Sequence, residues 1–488
     1  MNSIKRNFAF NLVRIFINSL IPLLSYPHVS RVFGPSVIGD INFSISFASI
    51  FSLFSTFGIS VFGVREIAKV RDSNLHVSNL VSNFFSINIL TTTISVLLYL
   101  SICLIIPSLR NKIDYLLIAG ISIISLPLSI DWYFQSLEAF EYIAIRSIVL
   151  QILSLFLILF FIRIKENSKL YLFFLVLPLF ITSIFNQQVA RRKIKIHFEL
   201  PNNIKLFFQS ISNLFYMSIV GVIYQNIYTI SIWFYLSSSA SGLFSTAIKI
   251  ESFLQSLIGS IALVLSPRCS YYLAKSLNKD FDNIIESTII IINIIAIPVV
   301  VGVIFYSKEI ILIFSGGMFI QSSSILSIIS LNIFIVSLNN VLGYQILIPR
   351  GNDSVILHAS ILGAIVSIAS LSILIPIFSF YGAALSFVLS ELVMFIFLFS
   401  KIKHKILSKK YFNSFIKIIL ANTILIVYIL LTKKIIISYS VNLLFIIPIS
   451  IILYFSTLII LKEEIIFSTF IVIKNKLFNS PRSSNHAN

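Results

Sequence analysis

Charged side chains inside long apolar runs are where chemistry is to be sought in this chain, because an ionised group at membrane depth costs from about 2.5 kcal/mol upward. Arg14 is one such residue. It shares a helical face with Asn7, Asn11 and Asn18, at spacings of four, three and four residues. A polar stripe of that period cannot face hydrocarbon. Either it walls a wet cavity that holds an anion, or Arg14 reaches the interface while the asparagines bond neighbouring helices. Lys249 and Glu251 lie near the middle of another apolar run. Two residues apart they point about 200° away from each other, so each needs a partner elsewhere, or water. Asp131 is a third deep charge, open either as a partner for Lys249 across a cavity or as part of an ion pair in its own lobe. Asp131 and Glu251 are the carboxylates to examine for ion coupling or contacts between lobes, whereas Glu391 reads as a packing residue. Arg65, Arg146 and Arg268 stand at helix ends. Their planar guanidinium groups suit phosphate, and a lipid headgroup would satisfy them equally well. Pro22 and Pro27, five residues apart beside the Arg14 stripe, make the first apolar run a candidate hinge, or a static kink.

The composition restricts the function classes. Of 488 residues, 57% are hydrophobic and 11% charged, with mean hydropathy +0.99. Soluble domains carry about 25% charged residues, so a water-soluble enzyme is excluded. The excess of 36 Lys+Arg over 18 Asp+Glu belongs to membrane ends or a cavity. No polar domain carries a basic, aromatic-interleaved patch for nucleic acid. No phosphate-binding G-x-x-x-x-G-K-[ST] loop, H-E-x-x-H or acidic metal cluster occurs, and no cofactor or metal is expected. Cys103 and Cys269 are far apart and read as small apolar fillers.

The elements that must position these residues are helices. A crossing needs about 20 mainly apolar residues, and fourteen stretches meet that length, from 8–30 to 441–461. Lys5 and Arg6 precede the first, but the run is too long for a signal peptide and no small-x-small cleavage site follows. With fourteen crossings, the loops on the side of the termini hold 24 Lys/Arg and the opposite loops nine, with Arg14, Lys249 and Lys417 inside spans. That bias places both termini in the cytoplasm.

The chain also repeats itself. Gly39 and Arg65 bracket the second stretch, 26 residues apart; Gly242 and Arg268 bracket the eighth at the same spacing, shifted by 203. A shift near 211 carries the fifth and sixth stretches onto the eleventh and twelfth. The expected architecture is an all-α integral membrane protein with about fourteen transmembrane helices. Residues 1–200 and 201–400 form two parallel six-helix lobes, and 401–488 adds two helices and a cytoplasmic tail. Parallel repeats about an axis along the membrane normal are a transporter arrangement, with the site between the halves.

The run Arg31-Val-Phe-Gly-Pro-Ser-Val-Ile-Gly39 and, beyond it, Val64-Arg-Glu-Ile-Ala-Lys-Val-Arg-Asp72 resemble the amino-terminal signature of the Wzx-type O-antigen and polysaccharide flippases. So does Asp131-Trp-Tyr-Phe-Gln-Ser-Leu-Glu138 leading into Tyr142-Ile-Ala-Ile-Arg146, apart from Ser136, where members often have glycine. These flippases belong to the multidrug/oligosaccharidyl-lipid/polysaccharide exporter superfamily. The resemblance implies a non-enzymatic carrier in the bacterial inner membrane. It would move an undecaprenyl-diphosphate-linked oligosaccharide from the cytoplasmic to the periplasmic leaflet by alternating access around a cationic cavity. Membrane lipids, and a polysaccharide polymerase with its chain-length proteins, are the implied partners. Two rivals stay open: a drug exporter of the same superfamily, favouring an acidic cavity, and a membrane polymerase, which should show a long polar outer loop.

Overall fold

A computed structural model describes residues 2–200, 204–402, 408–435 and 439–478. The side chains of Asn7 and Asn11, and the basic residues Lys403, Lys405 and Arg482, lie outside the described residues. Among the described residues the regular structure is helical. The first half comprises α1 (Asn2–Thr56), α2 (Ile59–Val70), α3 (Asn74–Ile105), α4 (Pro107–Arg110), α5 (Ile113–Leu128), α6 (Asp131–Ser136), α7 (Phe140–Phe161) and α8 (Ser168–Arg191). The second half holds α9 (Ile204–Tyr235), α10 (Ser238–Ala274), α11 (Asn278–Ser315), α12 (Ser322–Ile329), α13 (Leu331–Asn340), α14 (Asp353–Phe378) and α15 (Phe380–Ser400). Then follow α16 (Lys409–Ile435), α17 (Tyr439–Ile460) and α18 (Glu464–Phe478).

Eleven helices among the described residues are long and apolar enough to cross a membrane, or twelve if α17 and α18, bent by 96°, form one broken span. The first of these, Leu20–Val70, is 51 residues long, about twice one crossing, and contains a break at Gly34. With α9 included, the set is compatible with fourteen crossings.

Two breaks depart from the sequence expectation, and a third, at Gly34, falls between the first and second stretches. Pro22 and Pro27 remain within helix, and their carbonyls accept from Ser25 Oγ, Ser30 Oγ and Arg31 Nη1. Gly34 is the residue that leaves helical geometry, at φ 74°, where a side chain would be strained. The second stretch ends early: Phe57 and Gly58 both take left-handed backbone, and the Ser55 carbonyl is satisfied by Thr91 Oγ1 at 2.6 Å. Arg65 therefore sits on the separate helix α2, while α10 runs unbroken past Arg268. The fourth stretch breaks after Pro127 at Ile130, φ 42°, so Asp131 opens the short helix α6 within the candidate span Ile113–Ser136 instead of continuing α5.

The chain packs as two compact units. One comprises the chain up to Lys249 with Phe314–Ser322 and Gly363–Phe387. Within it α1 packs against α3, α5, α7 and α9. A core of Phe62, Phe84, Trp132, Tyr133 and Ile143 joins α2, α3, α6 and α7. The other unit comprises Ile250–Ile313, Ser323–Leu362 and the chain from Val388 onward. Its core sets Ile290, Ile294 and Tyr306 of α11 against Ile418, Leu425, Tyr454 and Leu458 of α16 and α17. Large apolar side chains such as Phe156, Phe160, Ile373 and Ile452 stay exposed, as lipid-facing residues do. Many buried serines satisfy themselves on the preceding turn, for example Ser44 on Asp40 and Ser52 on Ala48.

A ladder of serines on α3 holds the segment that links the two halves. Ser78 Oγ donates to the Lys195 carbonyl, Ser82 Oγ accepts from His197 N at 3.2 Å, and Ser86 Oγ accepts from Glu199 N at 2.8 Å. Serines four apart on one helix face thus meet alternate residues of an extended strap.

Candidate functional site

Lys249 projects from α10 and rests its ammonium over the Tyr26 ring, 4.2 Å from the centroid. Tyr26 is fixed at both ends. Its hydroxyl lies 2.6 Å from Thr246 Oγ1, one turn before Lys249, and its ring stacks on Phe314 at 5.3 Å. The ring supplies quadrupole attraction, worth about 0.5–2 kcal/mol, but no negative charge. Among the described residues no carboxylate pairs with Lys249. Asn18, on the same α1 helix as Tyr26, accepts from Ser147 Oγ at 3.1 Å, and Arg14 is half-buried on that helix.

Asp131 and Lys249 do not pair. Asp131 Oδ1 accepts from Arg146 Nη2 at 2.9 Å and from Asn186 Nδ2 at 2.7 Å. The reason is the break at Ile130, which turns Asp131 toward α7 and α8. Asn186 is fully buried and uses its whole amide. Its oxygen accepts from Arg146 Nη1 and, at 3.0 Å, from Tyr142 Oη, while its nitrogen also donates to the Ser129 carbonyl at 2.5 Å. Gln187 Nε2 donates to the Leu128 carbonyl at 3.1 Å. The carbonyls that the end of α5 leaves without helical partners are thereby capped from α8. Arg146, only 10% exposed, also stacks its guanidinium on Tyr142. Its charge is committed to this knot. Sequence reasoning passed over Asn186; the signal was a polar Asn-Gln-Gln run closing an apolar stretch.

Arg65 and Arg268 are exposed. Arg65 pairs with Glu66 at 2.9 Å and lies over Phe62, and Arg268 lies over Tyr272. In the second unit Glu251 is buried, accepts from Ser252 Oγ at 3.2 Å, and is close enough to Glu391 for their charges to interact. Glu391 in turn accepts from Asn339 Nδ2 at 3.0 Å. The structure thus sets the residue read as packing beside the one read as ion coupling. The same unit holds an apolar cavity of about 430 Å³, walled by Ile294, Pro298, Val303, Leu425, Ile451 and Phe455. Among the described residues no group of three or more His, Cys, Asp or Glu could hold a metal ion.

Comparisons with known proteins agree with this architecture. Residues 4–273 match the family described as "Polysaccharide biosynthesis protein". A Shigella dysenteriae protein named "Putative O-antigen transporter" is 21% identical over 80% of this chain and 99% of its own length. A protein of the same name from Escherichia coli (strain K12) is also 21% identical, over 80% of this chain and 94% of its own. Among solved structures, "Lipid II flippase MurJ, inward closed conformation" superposes with TM-score 0.74 at 18% identity, over 94% of this chain and all of that one. An inward-facing MATE family multidrug resistance transporter of the MOP superfamily gives 0.61 at 14% identity, over 80% of this chain and 96% of that one. At such identities the structures establish the fold. The family match spans more than half of the sequence, including Lys249, Tyr26 and the Asp131–Arg146–Asn186 knot, and the chain belongs to the polysaccharide biosynthesis protein family of multi-pass membrane proteins, the membership to which its likeness to Wzx-type flippases pointed.

Proposed function

We propose that this protein is a flippase, not an enzyme. It moves an undecaprenyl-diphosphate-linked O-antigen oligosaccharide from the cytoplasmic to the periplasmic leaflet of the bacterial inner membrane by alternating access, with both termini cytoplasmic. The observation that carries the reading is Lys249. A cation on a membrane-spanning helix, set over an aromatic ring and without a carboxylate partner among the described residues, is ready for a mobile anion. A sugar diphosphate cannot enter hydrocarbon unaided, because every polar group would lose its water. In this reading Lys249, with Arg14, Asn11 and Asn18, replaces that water. Arg65 and Arg268 meet the diphosphate at the entrance, and the lobes 1–200 and 201–400 rock about Pro22 and Pro27. The apolar cavity walled by Ile294 and Ile451 suits a hydrocarbon tail. Outward movement of negative charge is downhill, by about 2.3 kcal/mol per charge per 100 mV. A polysaccharide polymerase and its chain-length proteins would receive the cargo. An exporter of cationic drugs is the rival reading. It would place its cargo at Glu251 and Glu391, and it leaves the basic residues of the first unit without a role.

The test is translocation of labelled lipid-linked sugar into inverted membrane vesicles. Lys249→Ala should reduce it at least tenfold at unchanged abundance, and Lys249→Arg should retain part. Full transport by Lys249→Ala would remove the observation on which the reading stands.

A further inference from the structure

The two glycines that mark the internal repeat touch each other. A Cβ on Gly39 would stand 1.7 Å from the Ser238 carbonyl oxygen, and one on Gly242 would stand 1.9 Å from the Pro35 carbonyl oxygen. Ser238 follows Pro35 by 203 residues, the shift that carries Gly39 onto Gly242. Each glycine therefore meets the repeat counterpart of what the other meets, and the axis of the repeat runs between them. Close beside it the Ser36 and Ser238 hydroxyls are 2.9 Å apart. The next residue, Asp40, is 3% exposed and takes one donor from each half. Lys112 Nζ, at the start of α5, reaches Oδ2 at 2.7 Å, and Trp233 Nε1, on α9, reaches Oδ1 at 3.0 Å. The Trp233 ring stacks on Phe43 at 3.9 Å.

We propose that the Gly39–Gly242 crossing is the outer gate of the transporter and Asp40 its latch, the contact parting and re-forming once in each transport cycle. The proposal rests on the transporter reading and adds to it the residues that close one end. When two repeats rock about an axis between them, the residues on that axis at the closed end are those that must separate. At the crossing itself backbone meets backbone with no interlocked side chains; beside it the Trp233–Phe43 stack and the Trp233–Asp40 hydrogen bond have to part. The attraction between the backbones is also short-ranged: a gap of about 0.5–1 Å already forfeits a quarter to a half of it. The contact is thus either made or lost, as a two-state gate requires. Ser36 is already exposed, and the groups that opening leaves needing water are the Ser238 hydroxyl, Asp40 and the Trp233 indole N–H. Asp40's ion-pair partner Lys112 is itself 35% exposed.

The full-length Ser36→Cys/Ser238→Cys variant tests this in native membranes. Oxidation should cross-link the pair and reduce translocation of labelled lipid-linked sugar at least tenfold, with recovery on reduction. Unchanged transport by the fully cross-linked protein would show a fixed joint and overturn the gate. A second measurement needs no cargo. Gly39→Ala or Gly242→Ala should prop the crossing apart, raising several-fold the labelling of a thiol at the buried Ser44, one turn beyond Asp40, in a Ser44→Cys variant by a membrane-impermeant maleimide added from the outer side. Labelling as slow as in the glycine parent would equally overturn it. A chain that labels faster with alanine yet moves no lipid-linked sugar when unmodified would refute the cargo and keep the gate.

Discussion

Arg146 and Asp131 illustrate how one backbone dihedral decides the role of a charge. Both were legible as charged residues in or beside apolar stretches, but their meeting depends on the left-handed Ile130, which no glycine or asparagine announces. With Asp131 committed to Arg146 and Asn186, breaking the knot from one side strands the remaining partners. Arg146→Ala and Asp131→Ala should each lower the melting temperature in detergent more than the double variant does, with a coupling of about 0.5–3 kcal/mol in the cycle. Lys249→Ala and Asp131→Ala should by contrast add, to within about 0.3–0.5 kcal/mol, because the two do not touch. Non-additivity in the second cycle would mean that they meet in another state of the molecule.

The extents of the helices could be read from hydropathy because the bilayer imposes a minimum length, and stretches such as 354–378 and 381–400 coincide nearly residue for residue with α14 and α15. The interruptions could not. Hydropathy is continuous through Phe57 and Ile130, and it passes without a mark into the π-helical Val341–Leu347 that continues α13. What breaks these helices is satisfaction of their loose carbonyls by side chains distant in sequence, such as Thr91, Asn186 and Gln187. The serine ladder on α3 was hidden for the same reason, since its partners are backbone atoms more than a hundred residues away. Replacing Ser78, Ser82 and Ser86 by alanine together should free the strap. Limited proteolysis between Ala190 and Leu200 should then accelerate several-fold while the membrane helices stay resistant. An unchanged cleavage rate would show that contacts other than the ladder hold the strap.

For the molecule as a whole, the loop charges predict sidedness. Reporter fusions after Lys195 and after Lys433 should report opposite sides of the membrane, the first cytoplasmic. Fusions on the same side would break the fourteen-crossing map. The candidate site was legible only in part. Lys249 stood out because an ammonium inside an apolar run is costly, whereas Tyr26 beneath it is one of 19 tyrosines and carries no such mark.

The reciprocal contact of Gly39 and Gly242 has a further consequence. It is the kind of isologous patch that a two-fold homodimer makes across its axis, where every residue is obliged to face itself. An aspartate next to such a contact would then appear twice, burying two carboxylates of like charge close together. Here both halves belong to one polypeptide and that obligation is lifted. The counterpart of Asp40, 203 residues on, is the buried Leu243. Within one chain a symmetric contact thus carries an asymmetric fastening: a single acid on one side, answered by an aliphatic residue on the other.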